Sequence, residues 1–305
     1  MCRVLFGLAV PLSAGVLLAS CGGGGGAQSV PGGAPLTPNA AVREIQTVVF
    51  PTPPGCTPVI TVNPATHYPT RTARRFTGGE HFNLDATGCD YGIYLGPNVK
   101  HAEIEDAKVH GAGRISIITE GAQDVRIRET ATNGGPVAGI EFTYGSSGSV
   151  ERSYVTNTET GVEFIFNARG LVGETLITNT TFLGINIVYN SQVTVEDTLI
   201  DNAMNTGSGV AVQNAGSVGV VRRTTAIGAG VPTPFGPQFG FFFGHGHPTV
   251  KAEHNTARHN QTGFGSYCVA GIDSADDLTD AHNRAVSSTV TNYDVNNNPA
   301  GINCI

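Results

Sequence analysis

The chain has no tryptophan, only two methionines and little charge, with Asp, Glu, Lys and Arg making up 13% of its 305 residues. Lysine is rarest among them, at Lys100, Lys108 and Lys251. No stretch gathers basic residues and the formal net charge is -7. Such a chain lacks the electrostatic footprint of a phosphate-binding surface, which argues against nucleic acid as a partner. Beyond residue 18 no run is apolar enough to span a bilayer. Glycine, in contrast, is abundant: 41 residues, alongside 17 prolines. That composition points to many tight turns and a repetitive build.

The N-terminal residues carry an export pattern. Arg3 supplies a positive start, Val4 to Leu18 is largely apolar, and Leu18-Ala19-Ser20-Cys21 follows. The run is short for a membrane span and ends in small residues, as a processed signal does. It resembles a bacterial lipobox. The resemblance implies a signal peptide over residues 1–20, a lipidated Cys21, and a bacterial cell-envelope location anchored to the membrane through that lipid. Gly22 beside the cysteine leans, by the same analogy, towards the outer membrane. Residues 21–43, with five glycines at 22–26, cannot bury a core and read as a flexible tether. An ordinary secretory signal is the alternative. Four cysteines remain after export and lipidation: Cys56, Cys89, Cys268 and Cys304. An even set in an oxidising compartment suggests disulfides. Their placement favours Cys56–Cys89 and Cys268–Cys304 as staples for the two ends, with the other pairings open.

Residues 44–305 are enough for one domain, and internal repetition defines it. Val125-Arg126-Ile127, Val193-Thr194-Val195 and Val250-Lys251-Ala252 alternate as short strands do. A small apolar residue with Asn two places on recurs at Ala131/Asn133, Val155/Asn157, Ile177/Asn179 and Ile200/Asn202. Gly-led strands begin at Gly139, Gly161, Gly184 and Gly209. The Asn positions step by 24, 22 and 23 residues, the Gly positions by 22, 23 and 25.

Three short strands per repeat cannot enclose a core alone. Stacked coil on coil, their inward Val, Ile and Phe make continuous columns. The expected fold is all-β, a single-stranded right-handed parallel β-helix of 22–25-residue coils. The pattern resembles the pectin-lyase-like superfamily, with Gly92-Ile93-Tyr94-Leu95-Gly96-Pro97-Asn98 similar to a first coil. Residues 44–84 are expected to cap one end, 85–275 to form coils with an insertion at 228–240, and 276–305 to close the other end.

Relatives of that kind include polysaccharide lyases, hydrolases and inert scaffolds, so function rests on outward residues. With Ile140, Phe142, Val162 and Phe164 inward, the expected outward row is Ser116, Glu141, Glu163, Asn186 and Ala211. Glu141 and Glu163 would be neighbours, needing a shared proton, a cation or an arginine. They suit a glycosidase acid and nucleophile, or, with Asn186, an oxygen-rich Ca²⁺ site. A solvated face on which two glutamates align is the plain alternative. Tyr144, Phe166 and Tyr189 end the same strands, as a sugar-stacking row or as core. His245, His247, His254 and His259 lie close in sequence, and on an extended segment His245 and His247 would share a face for metal or acid–base work. Gly244-His245-Gly246 resembles the Gly-His-Gly of polygalacturonases and Asn157-Thr158-Glu159 their Asn-Thr-Asp. The intervening Asp-Asp and the Arg-Ile-Lys are missing, so that activity is not carried over. A lyase would need a cation beside a uronate, for which Arg222, Arg223 and Arg258 are candidates. The insertion offers Phe235 and Phe239, stiffened by Pro232, Pro234 and Pro237.

Two expectations follow. One is an envelope protein that binds an extended polysaccharide, with cleavage as a hydrolase or lyase left open beside binding alone. Glu141, Glu163 and His245 are the candidates for chemistry and Tyr144, Asn186, Tyr189, Phe235 and His247 for binding. The other is a non-catalytic scaffold or adhesin.

Overall fold

The computed structural model describes residues 59–62, 69–75, 82–233 and 236–296. The expected signal, lipidation site and tether, together with Cys56, Cys304, Pro234 and Phe235, lie outside them. Within them the chain forms a parallel β-solenoid of about eight turns, each of roughly 23 residues.

Each coil has three sides. One column of strands includes Ala107–His110, Ala131–Asn133, Leu199–Asp201, Thr225–Ile227 and Thr256–Arg258. The second includes Tyr91–Leu95, Ile115–Glu120, Ala138–Thr143, Ser208–Gln213, Phe239–Gly244 and Thr262–Tyr267. In two coils these sides run together, as Tyr154–Phe164 and Leu176–Ile187, with an irregularity between Thr158 and Thr160. The third side is a separate sheet of seven strands, from Glu103–Glu105 to Thr249–Glu253. An antiparallel pair, Val59–Val62 with Pro69–Arg75, precedes the coils, and its second strand joins Tyr91–Leu95 in parallel. A short helix, Ala275–Asp280, interrupts the last coils, and parallel pairing continues to Asn296.

Registration places like on like. Ile140, Val162, Ile185, Val210, Phe241 and Phe264 form one inward column, and all are at most 1% exposed. Beside it, Phe142 and Phe164 stack with ring centroids 4.7 Å apart. Face-stacked rings bury large area in a section only one strand spacing thick. The recurring glycines mark the bend between the first two sides. A Cβ on Gly161 would come within 2.5 Å of both the Gly184 carbonyl oxygen and Ile177 Cγ2, so only hydrogen fits.

Sharp corners are made by single left-handed residues. Glu129, Arg152, Glu174, Asp197, Arg223, His254 and His282 occupy one such column, with φ between 47° and 60°. Each precedes a buried Thr, Ser or Asn. At Ser153, Thr175, Asn255 and Asn283 that side chain accepts a backbone N–H from the preceding coil, as in Thr130 N to Ser153 Oγ at 3.2 Å and Thr224 N to Asn255 Oδ1 at 3.0 Å. The buried acceptor satisfies a backbone donor where the strand breaks off.

The expected asparagine column is only partly formed. Asn157 and Asn179 are left-handed, and Asn157 Nδ2 donates to Asn133 Oδ1 at 2.8 Å. Asn133, however, is level with Thr156. Asn202 is buried instead, donating from Nδ2 to Thr180 Oγ1, Gly207 O and Ser208 O, because the longer loop after it supplies carbonyls to hold.

Candidate functional site

Glu141 and Glu163 are level in adjacent strands, and Asn186 is level with Glu163 in the next. Their flanking residues Ile140, Phe142, Val162 and Phe164 fill the core, so alternation sends both carboxyls outward. Adjacent strands lie about 4.8 Å apart. The expected row needs one correction. Ile118, not Ser116, is level with Glu141. Ser116 falls in the glycine column at the bend, where it is buried and donates to Gly134 O at 3.0 Å.

The two carboxyls are half-buried. Asn186 donates from Nδ2 to Glu163 Oε1 at 2.7 Å and accepts at Oδ1 from Gln213 Nε2 at 3.0 Å. Burial, followed by the charge of Glu163, pushes Glu141 up to about 8, with Arg114 opposing and Glu120 adding slightly. Burial raises Glu163 to about 7 against the Asn186 hydrogen bond, and Glu159 adds to the rise. Glu159 is itself raised by burial. Near neutral pH the pair therefore retains a proton and titrates as a unit. One member can donate while the other accepts.

Tyr144, Phe166 and Tyr189 form a stacked outer column, with centroids 5.2 Å and 5.0 Å apart. All three are left-handed, and Tyr144 is 50% exposed. Bulky aromatics seldom adopt that conformation. His245 continues the same turn column, beside Phe242 at 5.2 Å. Burial lowers its pKa. It lies three coils from Glu163, about 14 Å along the stack, and so does not join the carboxyl pair. His247 is exposed, and Gly246 between the two histidines is left-handed as they are. The shared strand face expected for them is therefore not formed. His254 and His259 sit at other corners. Among the described residues no three His, Cys, Asp or Glu side chains are grouped to hold a metal. A Ca²⁺ ion wants six to eight oxygens, and the Asn186 amide oxygen already accepts from Gln213, so Glu141, Glu163 and Asn186 do not fit that ion.

Arg222 and Arg223 are on the corner after the third side, paired with Glu196 at 2.6 Å and Asp197 at 2.7 Å. Arg258 ends a strand of the first side. The cation felt by Glu141 is Arg114, which sequence reasoning missed, as it missed Gln213 and Glu120. Glu120 accepts from Tyr94 OH at 3.0 Å. None of the three belongs to a recurring mark, so only the strand register exposes them. The described part of the insertion is tied down at the bend, where Gln238 accepts from Gly230 N at 2.8 Å and donates to Gly207 O at 3.0 Å. It borders an outward apolar cluster of Phe182, Leu183, Ala211, Phe239, Phe242 and Tyr267. Phe235 lies outside the described residues. Cys89 and Cys268 are buried near the start and end of the coils.

A family model described as right-handed β-helix region matches residues 91–305. The chain belongs to the right-handed β-helix family. Comparison with curated proteins and with solved structures gives no match. The coil columns above are this β-helix's own sheets, and the handedness follows the family.

Proposed function

We propose that this β-helix protein is a lipid-anchored component of the bacterial cell envelope, probing the space outside the cytoplasm for an extended polysaccharide, which it binds along the side carrying Glu141, Glu163 and Asn186 and hydrolyses there. The observation that carries the reading is the level pair of half-buried carboxyls, both raised into the neutral range. Retaining glycosidases set acid and nucleophile about 5 Å apart, close to one coil spacing. Tyr144, the half-exposed end ring of the aromatic column, supports sugar stacking, whereas both faces of Phe166 are covered by its neighbours. Hydrolysis is favoured over elimination because Arg222 and Arg223 are committed to ion pairs at another corner.

The test is a glycan screen of the full chain in detergent, reading binding and new reducing ends together. Glu141→Gln and Glu163→Gln should each lower turnover about 100-fold or more while binding persists. Unsaturated products would reassign it as a lyase, and binding with no product as a recognition module. One observation favours a scaffold: Glu163, Asn186 and Gln213 hydrogen-bond to one another in sequence along the stack. No binding across a broad panel would decide for that reading.

The anchor is proposed from Cys21 and its lipobox. Cys21→Ser should move the protein from membrane to soluble fractions and abolish incorporation of labelled fatty acid. Retention in the membrane without label would refute it. Disulfides Cys56–Cys89 and Cys268–Cys304 complete the proposal as staples of the two ends.

A further inference from the structure

We infer that His254 and His282 form a binding site for one divalent transition-metal ion, which ties the helix-bearing coil to the coil before it. Both residues are exposed and occupy the corner after the third side, with φ of 56° and 60°. Their rings lie one coil step apart, with centroids separated by 4.8 Å and planes inclined by 34°. Among the described residues no third His, Cys, Asp or Glu is grouped with them to hold a metal, so solvent completes the coordination.

A second observation comes from the rest of this corner column. Its side chains meet across single coil steps: Arg152 pairs with Glu129 at 2.9 Å and Arg223 with Asp197 at 2.7 Å. The corner thus brings the tips of successive side chains to bonding distance, and in both cases the partners carry opposite charge. His254 and His282 hold the next two places, and they are alike. Each imidazole offers a lone pair, which a cation between them accepts. Neighbouring cations are engaged: Arg223 also with Glu196 at 3.2 Å, and Lys251 with Glu253 at 3.0 Å.

The backbone beneath the pair is fixed. His254 N donates to Ala281 O at 2.9 Å. The buried Asn255 donates from N and Nδ2 to Asn283 Oδ1, and the buried Asn283 donates from Nδ2 to Ala252 O and Leu278 O. Imidazole nitrogens bind such ions at about 2.0–2.1 Å, which sets two ligand nitrogens roughly 3 Å apart. The inclination brings one pair of ring edges closer than the centroids, and rotation of two exposed side chains supplies the rest. Paired imidazoles with open water positions suit Cu²⁺, Ni²⁺ or Zn²⁺, whereas Ca²⁺ and Mg²⁺ take oxygen.

The experiment titrates Ni²⁺ into the untagged full chain in detergent at about pH 7.5, above the ordinary imidazole pKa, with calorimetric detection. Electron paramagnetic resonance of one equivalent of Cu²⁺ counts the imidazole nitrogens on the metal. The variants are His254→Asn and His282→Asn, because asparagine tolerates the left-handed backbone and should leave metal-free melting unchanged. Wild type should bind one Ni²⁺ about tenfold or more tighter than either variant and should melt higher in its presence. Its Cu²⁺ should carry two imidazole nitrogens. His101→Asn is the control: that histidine lies at another corner, its Nδ1 2.8 Å from Asp124, and its loss should leave the tight site intact. Equal affinity in wild type and the two variants, an equal loss in His101→Asn, or a single imidazole on wild-type Cu²⁺ overturns the inference.

Discussion

Raising the pH from about 5 to about 9 should destabilise the folded chain, and Glu141→Gln/Glu163→Gln should abolish most of that loss. In the unfolded chain both carboxyls ionise near the ordinary value of about 4.3. In the fold, burial foremost and mutual repulsion next hold them at about 8 and about 7. Between those limits the native state binds more protons than the unfolded state, so stability falls as pH rises. Their contribution is fully present below the unfolded pKa and is lost as pH passes through 7 and 8. The loss should be several kcal/mol for the pair, since each pH unit between the unfolded and folded values costs about 1.4 kcal/mol per group. His245, held low by burial, works in the opposite sense at lower pH, favouring the fold as pH rises through about 6.5. Comparing wild type with the double variant cancels that contribution. Urea midpoints at three pH values provide the measurement. Parallel curves for the two proteins would mean the carboxyls ionise freely in the fold.

The repeat, its length and the pairing of Glu141 with Glu163 were legible because two spaced marks, Gly and Asn, kept one period. The Ser116 error shows the limit of such reading. Its strand, Ile115–Glu120, has no Gly at the bend, so counting from neighbouring coils slipped by two residues, which preserves the facing and hides the mistake. The histidines failed for another reason. Their spacing fits a strand, but each is a left-handed turn residue, a backbone state that glycine would have signalled and histidine does not. The corner column from Glu129 to His282 was silent for the same cause, since charged residues fill it. Gln213 is visible only once its hydrogen bond to Asn186 is known.

Gly161→Val should be strongly damaging to the scaffold, costing about 3 kcal/mol or more. The new Cβ would meet a carbonyl of the next coil on one side and Ile177, fully buried, on the other. Backbone cannot yield without parting two coils, and Ile177 has no free volume to enter. Gly139 and Gly184 repeat the geometry, their Cβ positions lying 2.4 Å from Val155 Cγ1 and 2.5 Å from Ile200 Cγ2. Gly145 is the control: its φ is +76°, and nothing lies within 4 Å of a Cβ there. Gly145→Asn should therefore change stability by about 1 kcal/mol or less, because asparagine tolerates the left-handed region. Thermal melting of the two variants separates the cases. A Gly161→Val protein melting within a degree or two of wild type would show that the bend is looser than the contacts imply.

The level pairing of Glu141 with Glu163 makes their separation a quantised property. On a stack of coils, two residues in one column can differ only by whole strand spacings, about 4.8 Å each. One step lies near the separation of retaining glycosidases; two steps, about 9.6 Å, lie at the wide end of the inverting class. Duplicating one coil between the two glutamates would shift the spacing from the first regime to the second without a change in any coil's internal packing. On such a scaffold, stereochemical outcome becomes a matter of counting coils.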